Sequence, residues 1–142
     1  MDVRYISKLV VFCSVVSIFA GCTRNNLPAE NDLILTLAKE QWVVSRFNDQ
    51  GKDETGEFNG IVFSFKQNGK LFVHHAGASI EASWVIVDDT NRMHINLGPN
   101  DTTNEPLGAL TKAWLIVAHS DKLVSLKNEL TGSAVLEFSP DK

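Results

Sequence analysis

The sequence predicts an all-β domain, an antiparallel barrel or sandwich, and two observations support this class. From residue 41 onward, short apolar stretches with a period of two are separated by turn-forming residues every eight to twelve positions. Helical spacing of apolar residues is confined to a short segment before that region. The stretches amount to about eight strands in a meander whose neighbours are consecutive in sequence.

The short helical segment covers residues 32–39. Leu33, Ile34 and Leu37 recur there at helical spacing, and Asn31 with Asp32 would provide the N-terminal cap. We therefore expect one short N-terminal helix that packs against the sheet or closes one end of a barrel.

The clearest strand alternation is at residues 61–66. Ile61, Phe63 and Phe65 share one face, which the pattern assigns to the interior, and a turn follows at Asn68 and Gly69. Both turn residues tolerate positive φ, so a hairpin is expected there. The other predicted strands are residues 41–47, 71–75, 80–87, 93–97, 114–119, 123–127 and 134–138.

Three connections stand out between these strands. Residues 88–91 and residues 120–122 predict tight turns. Residues 98–106 form a polar loop, and residues 107–112 predict one further helical turn. Long loops of this kind often lie at the mouth of a barrel.

The start of the chain predicts an export signal. Arg4 and Lys8 precede an apolar run of about a dozen residues, which is too short to span a bilayer and fits the core of a signal peptide. The sequence FAGC at residues 19–22 resembles the lipobox of bacterial lipoproteins, in which the cysteine is diacylated and becomes the new N-terminus. The alternative is an ordinary secretory signal, with Cys22 as an unmodified thiol.

The lipobox divides the chain into three parts. Residues 1–21 are the predicted lipoprotein signal peptide, residues 22–31 the acylated Cys22 and a polar tether, and residues 32–142 the β domain. Cys22 would then anchor the protein to a membrane. Because no Asp follows Cys22 directly and no acidic cluster follows it, we expect the cell envelope, at the periplasmic face of an outer membrane.

Composition excludes several functions. Cleavage after residue 21 changes the formal net charge from −4 to −5, and no Lys/Arg-rich run remains, so no nucleic-acid partner is expected. Loss of Cys13 with the signal and acylation of Cys22 would leave no thiol for a disulfide, a metal or a nucleophile.

The remaining candidates for chemistry are sparse. Acidic pairs at residues 53–54 and 88–89 lie in turns, where aspartates usually bond their own backbone. No phosphate loop and no Gly-x-Ser-x-Gly motif occurs. We expect no catalytic residue, no metal, no cofactor and no enzymatic activity. A metal site would need strands to bring together the four histidines, which are His74, His75, His94 and His119.

The order of short motifs resembles a known family. QWVV at residues 41–44, GKDET at 51–55 and FNGIVFSF at 58–65 are followed by SWV at 83–85, AWLIV at 113–117 and LEF at 136–138. This order is similar to that of small bacterial lipoproteins with a lipocalin-like domain, found especially among Bacteroidetes-type bacteria. The resemblance covers nearly all of the chain after the signal and implies an eight-stranded, antiparallel, up-and-down (lipocalin-like) β-barrel.

Two functions follow from this reasoning. The first is a membrane-anchored, non-enzymatic binding module for a small hydrophobic ligand. The alternative is a protein-interaction or inhibitor-type envelope lipoprotein whose barrel is filled by its own side chains. For the first, the candidate ligand-binding residues are large and mostly inward-facing, namely Trp42, Phe63, Phe65, Trp84, Met93 and Trp114.

Overall fold

The computed structural model describes residues 29–87 and 91–142. One helix and nine strands make up most of this part of the chain. They are α1 (Ala29–Lys39), β1 (Trp42–Asp49), β2 (Lys52–Asp53), β3 (Val62–Phe65), β4 (Lys70–His75), β5 (Ala78–Val87), β6 (Arg92–Asn96), β7 (Lys112–His119), β8 (Val124–Asn128) and β9 (Val135–Pro140).

The strands form one closed antiparallel barrel. From β3 to β9 each strand pairs with the next one in sequence, and β9 returns to pair with β1 from Trp42↔Pro140 to Asn48↔Val135. The two-residue strand β2 is an extra element that pairs only with the end of β1. An eight-stranded closed barrel with one extra strand and one helix confirms the predicted fold class and decides between barrel and sandwich.

Strands β1 and β3 share fewer paired residues than any other two neighbouring strands in the barrel wall. Trp42↔Phe63 is the one registered pair between them. A 3-10 helix, Thr55–Phe58, lies beside this seam, and its Phe58 ring meets Phe47 edge to face at 5.4 Å. The Phe47 backbone N–H also donates to Thr55 Oγ1 at 2.8 Å. The sequence analysis did not predict this 3-10 helix or β2.

Four aromatic rings pack together inside the barrel. Phe138 meets Phe63 at 5.3 Å and Phe65 at 5.6 Å between ring centroids, and Phe65 meets Trp84 at 5.2 Å. All three contacts are edge to face, an arrangement that aromatic pairs favour. The interior assignment of Phe63, Phe65 and Trp84 from the period-two pattern is therefore confirmed.

A tryptophan holds a helical segment over each end of the barrel. At one end Leu37 of α1 is buried, and Trp42 Nε1 donates a hydrogen bond to the Leu37 carbonyl at 3.0 Å. At the other end Trp114 Nε1 donates to the carbonyl of Leu110 at 3.0 Å. Leu110 ends the short 3-10 helix Leu107–Leu110. We call these the helix end and the mouth end of the barrel.

Two local predictions need correction. Asn31 and Asp32 lie inside α1, which the structure describes from Ala29 onward, so they do not form its N-terminal cap. The hairpin between β3 and β4 forms as expected, but only Gly69 of the predicted pair has positive φ, at +84°. Gly69 N–H donates to the Lys66 carbonyl at 3.1 Å, which closes a turn that needs no positive φ at Asn68.

The second predicted helical segment is shorter than expected. It covers Leu107–Leu110 as a 3-10 helix, and Lys112 already belongs to β7. The predicted signal peptide, Cys22 and most of the predicted tether lie outside the described residues. Residues 88–90 of the predicted turn before β6 also lie outside them.

Candidate functional site

The six predicted ligand contacts all lie in the barrel interior. Each has 5% or less of its surface exposed. They contact the core and the two end segments, and their role as ligand contacts stays a prediction. Their exposed fractions are Trp42 1%, Phe63 0%, Phe65 1%, Trp84 5%, Met93 0% and Trp114 0%.

Trp84 also holds the β3–β4 hairpin through hydrogen bonds at the helix end. Its Nε1 lies 3.0 Å from the Lys66 carbonyl and 3.1 Å from the Lys70 carbonyl, so one N–H group is shared between the two sides of the β3–β4 hairpin. The Trp84 backbone N–H donates to the Gly69 carbonyl at 3.0 Å. A Cβ atom at residue 69 would lie 3.3 Å from the Trp84 carbonyl oxygen, which favours glycine there.

A concave pocket of about 260 Å³ opens at the mouth end. It lies between the inner faces of β4 and β5, Ile61 just before β3, and the loop that joins β6 to β7. We call it the mouth pocket. Its apolar lining includes Ile61, Val73, Ile80, Pro106 and Leu107, and its polar lining includes Glu57, His75, Thr103, Asn104 and Glu105.

The wall of the mouth pocket continues the inner face of the barrel. Val73 and Ile80 are directly paired across β4 and β5, so their side chains share the inward face. Val73 is 1% exposed, yet Ile80 is 51% exposed. Further along the same face of β5, Trp84 is again buried. The apolar inner face thus extends beyond the part of the barrel that its own side chains fill.

The loop over the mouth is held by its own hydrogen bonds. Asn104 Nδ2 donates to the Leu97 carbonyl at 3.0 Å and to the Pro99 carbonyl at 2.8 Å. Gly108 N–H donates to the Asn104 carbonyl at 2.9 Å. A Cβ atom at Gly108 would lie 2.6 Å from Asn100 Cα, which is too close for a Cβ contact unless the backbone shifts. These contacts give the loop one defined position beside the pocket.

Hydrogen bonds favour the ionised form of one carboxylate in this loop. Thr103 Oγ1 and the Thr103 backbone N–H both donate to Asp101 Oδ1, at 2.7 and 3.0 Å. These bonds lower the pKa of Asp101 below its ordinary value. The same arrangement recurs at Asp53 and Thr55, where it lowers the pKa of Asp53.

Two further grooves lie elsewhere on the barrel. The helix-end groove, about 240 Å³, is bounded by Ile34 of α1, the β3–β4 turn and the end of β5 around Ile86. The outer groove, about 530 Å³, runs over the outside of β5, β6 and β7 past Val85, His94 and Ala113. Both are more open to solvent than the mouth pocket.

The four histidines lie at separate places. His75 lines the mouth pocket, and His94 lines the outer groove. His74 Nε2 lies 3.3 Å from Ser64 Oγ, and His119 Nδ1 lies 3.8 Å from Asp32 Oδ2. Within residues 29–87 and 91–142, no three His, Cys, Asp or Glu side chains form a group that could hold a metal ion.

The mouth pocket itself was not identified by sequence reasoning. Its residues come from β4, β5, two 3-10 helices, the position before β3 and a loop, so no sequence spacing links them. One available signal was Ile80, an apolar residue at the start of a strand that alternation placed on the inward face. No helix in the described part of the chain has the length and apolarity needed to cross a membrane.

Comparisons with known proteins support the fold. No protein-family model matches the chain, and no curated protein matches it either. Among solved structures, a DUF4847 family protein from Bacteroides vulgatus aligns over 75% of this chain and 95% of its own, with a TM-score of 0.57 and 19% identity. A protein from Bacteroides eggerthii aligns over 72% of this chain and 98% of its own, with a TM-score of 0.49 and 13% identity. At this level of identity, the first of these alignments shows a shared fold.

Proposed function

We propose that the protein is a non-enzymatic binding module that holds a small hydrophobic molecule in the mouth pocket. In this proposal Cys22 carries the lipid that anchors the protein to the periplasmic face of an outer membrane. The observation that carries the proposal is Ile80, an inward-facing apolar side chain that stays 51% exposed beside a buried Val73. A bound apolar group would cover it.

The size of the pocket supports a small ligand. Its volume of about 260 Å³ lies just below the roughly 300–1,000 Å³ common for sites of drug-sized molecules. A ligand of about eleven non-hydrogen atoms suits this space, and its expected Kd is about 4 mM at about 0.3 kcal/mol per atom. The barrel interior is packed with buried apolar and aromatic side chains, so the proposed ligand lies at the mouth and not in the centre.

Methyl NMR can test this proposal directly. Isoleucine δ1 methyls are labelled in the full chain, held in small lipid nanodiscs, and 4-phenylbutanol is added, with empty nanodiscs correcting for partitioning. Saturable shifts are expected at Ile61 and Ile80 of the mouth pocket. Shifts confined to Ile34 and Ile86 would place the ligand in the helix-end groove instead. The absence of any saturable shift would refute the proposal.

A pair of variants supplies the control. Ile80→Ser removes half-exposed apolar surface from the mouth pocket and is expected to weaken 4-phenylbutanol binding about fivefold. Val117→Ser removes a similarly exposed apolar side chain, 62% exposed on β7, away from that pocket. We expect this control to leave the affinity unchanged.

A protein-interaction or inhibitor-type role is the second candidate. The observation that favours it is the exposed apolar surface outside the barrel, where Val85 is 56% and Val117 is 62% exposed. Under this alternative, Val117→Ser would weaken retention of an envelope protein by the full chain. Ile80→Ser would then leave that retention unchanged.

A further inference from the structure

Two carboxylates from separate segments lie at the rim of the mouth pocket. Glu57 belongs to the 3-10 helix Thr55–Phe58, and Glu105 precedes Pro106 in the loop between β6 and β7. Both are exposed, and neither makes an ion pair with any basic side chain in the part of the chain that the structure describes. The rim therefore has negative charge available directly beside an apolar surface.

The lysine whose pKa both rim carboxylates raise, Lys52, is already paired with another carboxylate. Lys52 Nζ lies 2.8 Å from Glu54 Oε1, and the Lys52 side chain is 74% exposed. The hydrogen bond and charge of Glu54 raise the pKa of Lys52, with smaller contributions from Glu57 and Glu105. Both rim carboxylates thus act on the same ammonium group although their segments are distant in sequence. Three carboxylates share this one lysine, so the local charge at the rim stays negative.

We propose that the mouth pocket selects an amphipathic cation, a small molecule with an amine or quaternary ammonium group on an apolar body. The ammonium group would lie between Glu57 and Glu105, and the apolar body would cover Ile61, Val73 and Ile80. This inference rests on the proposed function and deepens it, because it names the ligand class. An anion of the same shape would meet repulsion at the rim, and a neutral molecule would gain only the apolar contact.

Three probes with the same phenylbutyl body can test the ligand class. They are 4-phenylbutylamine, 4-phenylbutanol and 4-phenylbutyrate, added to the full chain in nanodiscs at pH 8, above the ordinary pKa of imidazole. Because exposed carboxylates are screened by water, we expect the amine to bind about three- to tenfold tighter than the alcohol, and the carboxylate to bind weakest. Raising the salt from about 20 to about 300 mM should reduce this preference.

Charge-neutralising variants locate the preference. The double variant E57Q/E105Q is expected to bring the amine affinity to within about twofold of the alcohol affinity. Glu40→Gln is the matched control, because Glu40 is exposed and lies next to α1 at the helix end. This control should keep the full preference for the amine.

The outcomes separate the two proposals. Equal affinities of the three probes at Ile61 and Ile80, or tightest binding of the carboxylate, would overturn the cation inference and leave the binding function in place. A preference for the amine that persists in E57Q/E105Q would also overturn it, since another charge would then be responsible. No saturable shift with any probe would refute the binding function, and the cation inference with it.

Discussion

Replacement of Trp84 tests how the β3–β4 hairpin is held to the barrel. Trp84→Ala removes a 95% buried ring that contacts Phe65 and also removes the N–H shared by the carbonyls of Lys66 and Lys70. Large-to-small changes of this kind cost about 3–5 kcal/mol of unfolding free energy. Trp84→Phe keeps most of the ring contact and loses that one shared hydrogen bond, so about 1–2 kcal/mol is expected.

Urea unfolding followed by far-UV circular dichroism measures both values. With an m value of about 2 kcal/mol per molar urea, Trp84→Ala should lower the midpoint by about 2 M and Trp84→Phe by about 0.5–1 M. Val85→Ala is the control on the same strand, because Val85 is 56% exposed on the outer face and should cost less than about 0.5 kcal/mol. A cost below about 1 kcal/mol for Trp84→Ala would refute the role assigned to this side chain.

Three other changes have defined outcomes. Gly108→Ala should destabilise the mouth loop and abolish the shifts that 4-phenylbutanol causes, because the new Cβ would collide with the loop backbone. Gly56→Ala is the control and should leave those shifts unchanged, because a Cβ there has no neighbour closer than 4.0 Å. The Thr55 hydrogen bonds lower the pKa of Asp53, so their stabilising effect is present above the unfolded-state value of about 3.9 and disappears as the pH falls through the folded-state value. Thr55→Val should raise that pKa in a carbon-13 carboxyl titration, and an unchanged value would contradict the assigned cause. Cys22→Ala should move the protein from the membrane to the soluble fraction of the envelope, and retention at the membrane would contradict lipid anchoring.

The barrel wall could be predicted because its strands alternate clearly. In β5, Trp84 and Ile86 are buried while Val85 and Val87 are exposed, as a period of two requires. The N-terminal cap of α1 could not be predicted as reliably, since Asn31 and Asp32 suit a cap but here lie inside the helix. Strand β2 has only two residues and therefore shows no periodicity at all.

The mouth pocket depends on information that a sequence pattern does not contain. Alternation assigns Ile80 to the inward face, and it cannot show that this part of β5 extends past the filled core. Glu57 and Glu105 approach the same rim only after the barrel closes and the loop between β6 and β7 folds back. The site is thus a product of closure and loop conformation, which local propensity does not determine.

The pairing of β1 with β9 has a consequence for how the chain folds. Trp42 lies opposite Pro140, so the wall can close only when the last strand has been synthesised and has reached the first. Such a contact between distant residues is entropically costly to form, and folding on a millisecond-to-second timescale is typical of barrels of this kind. A chain that ends before β9 would leave β1 and β8 as open edges, which can pair with other chains and start aggregation.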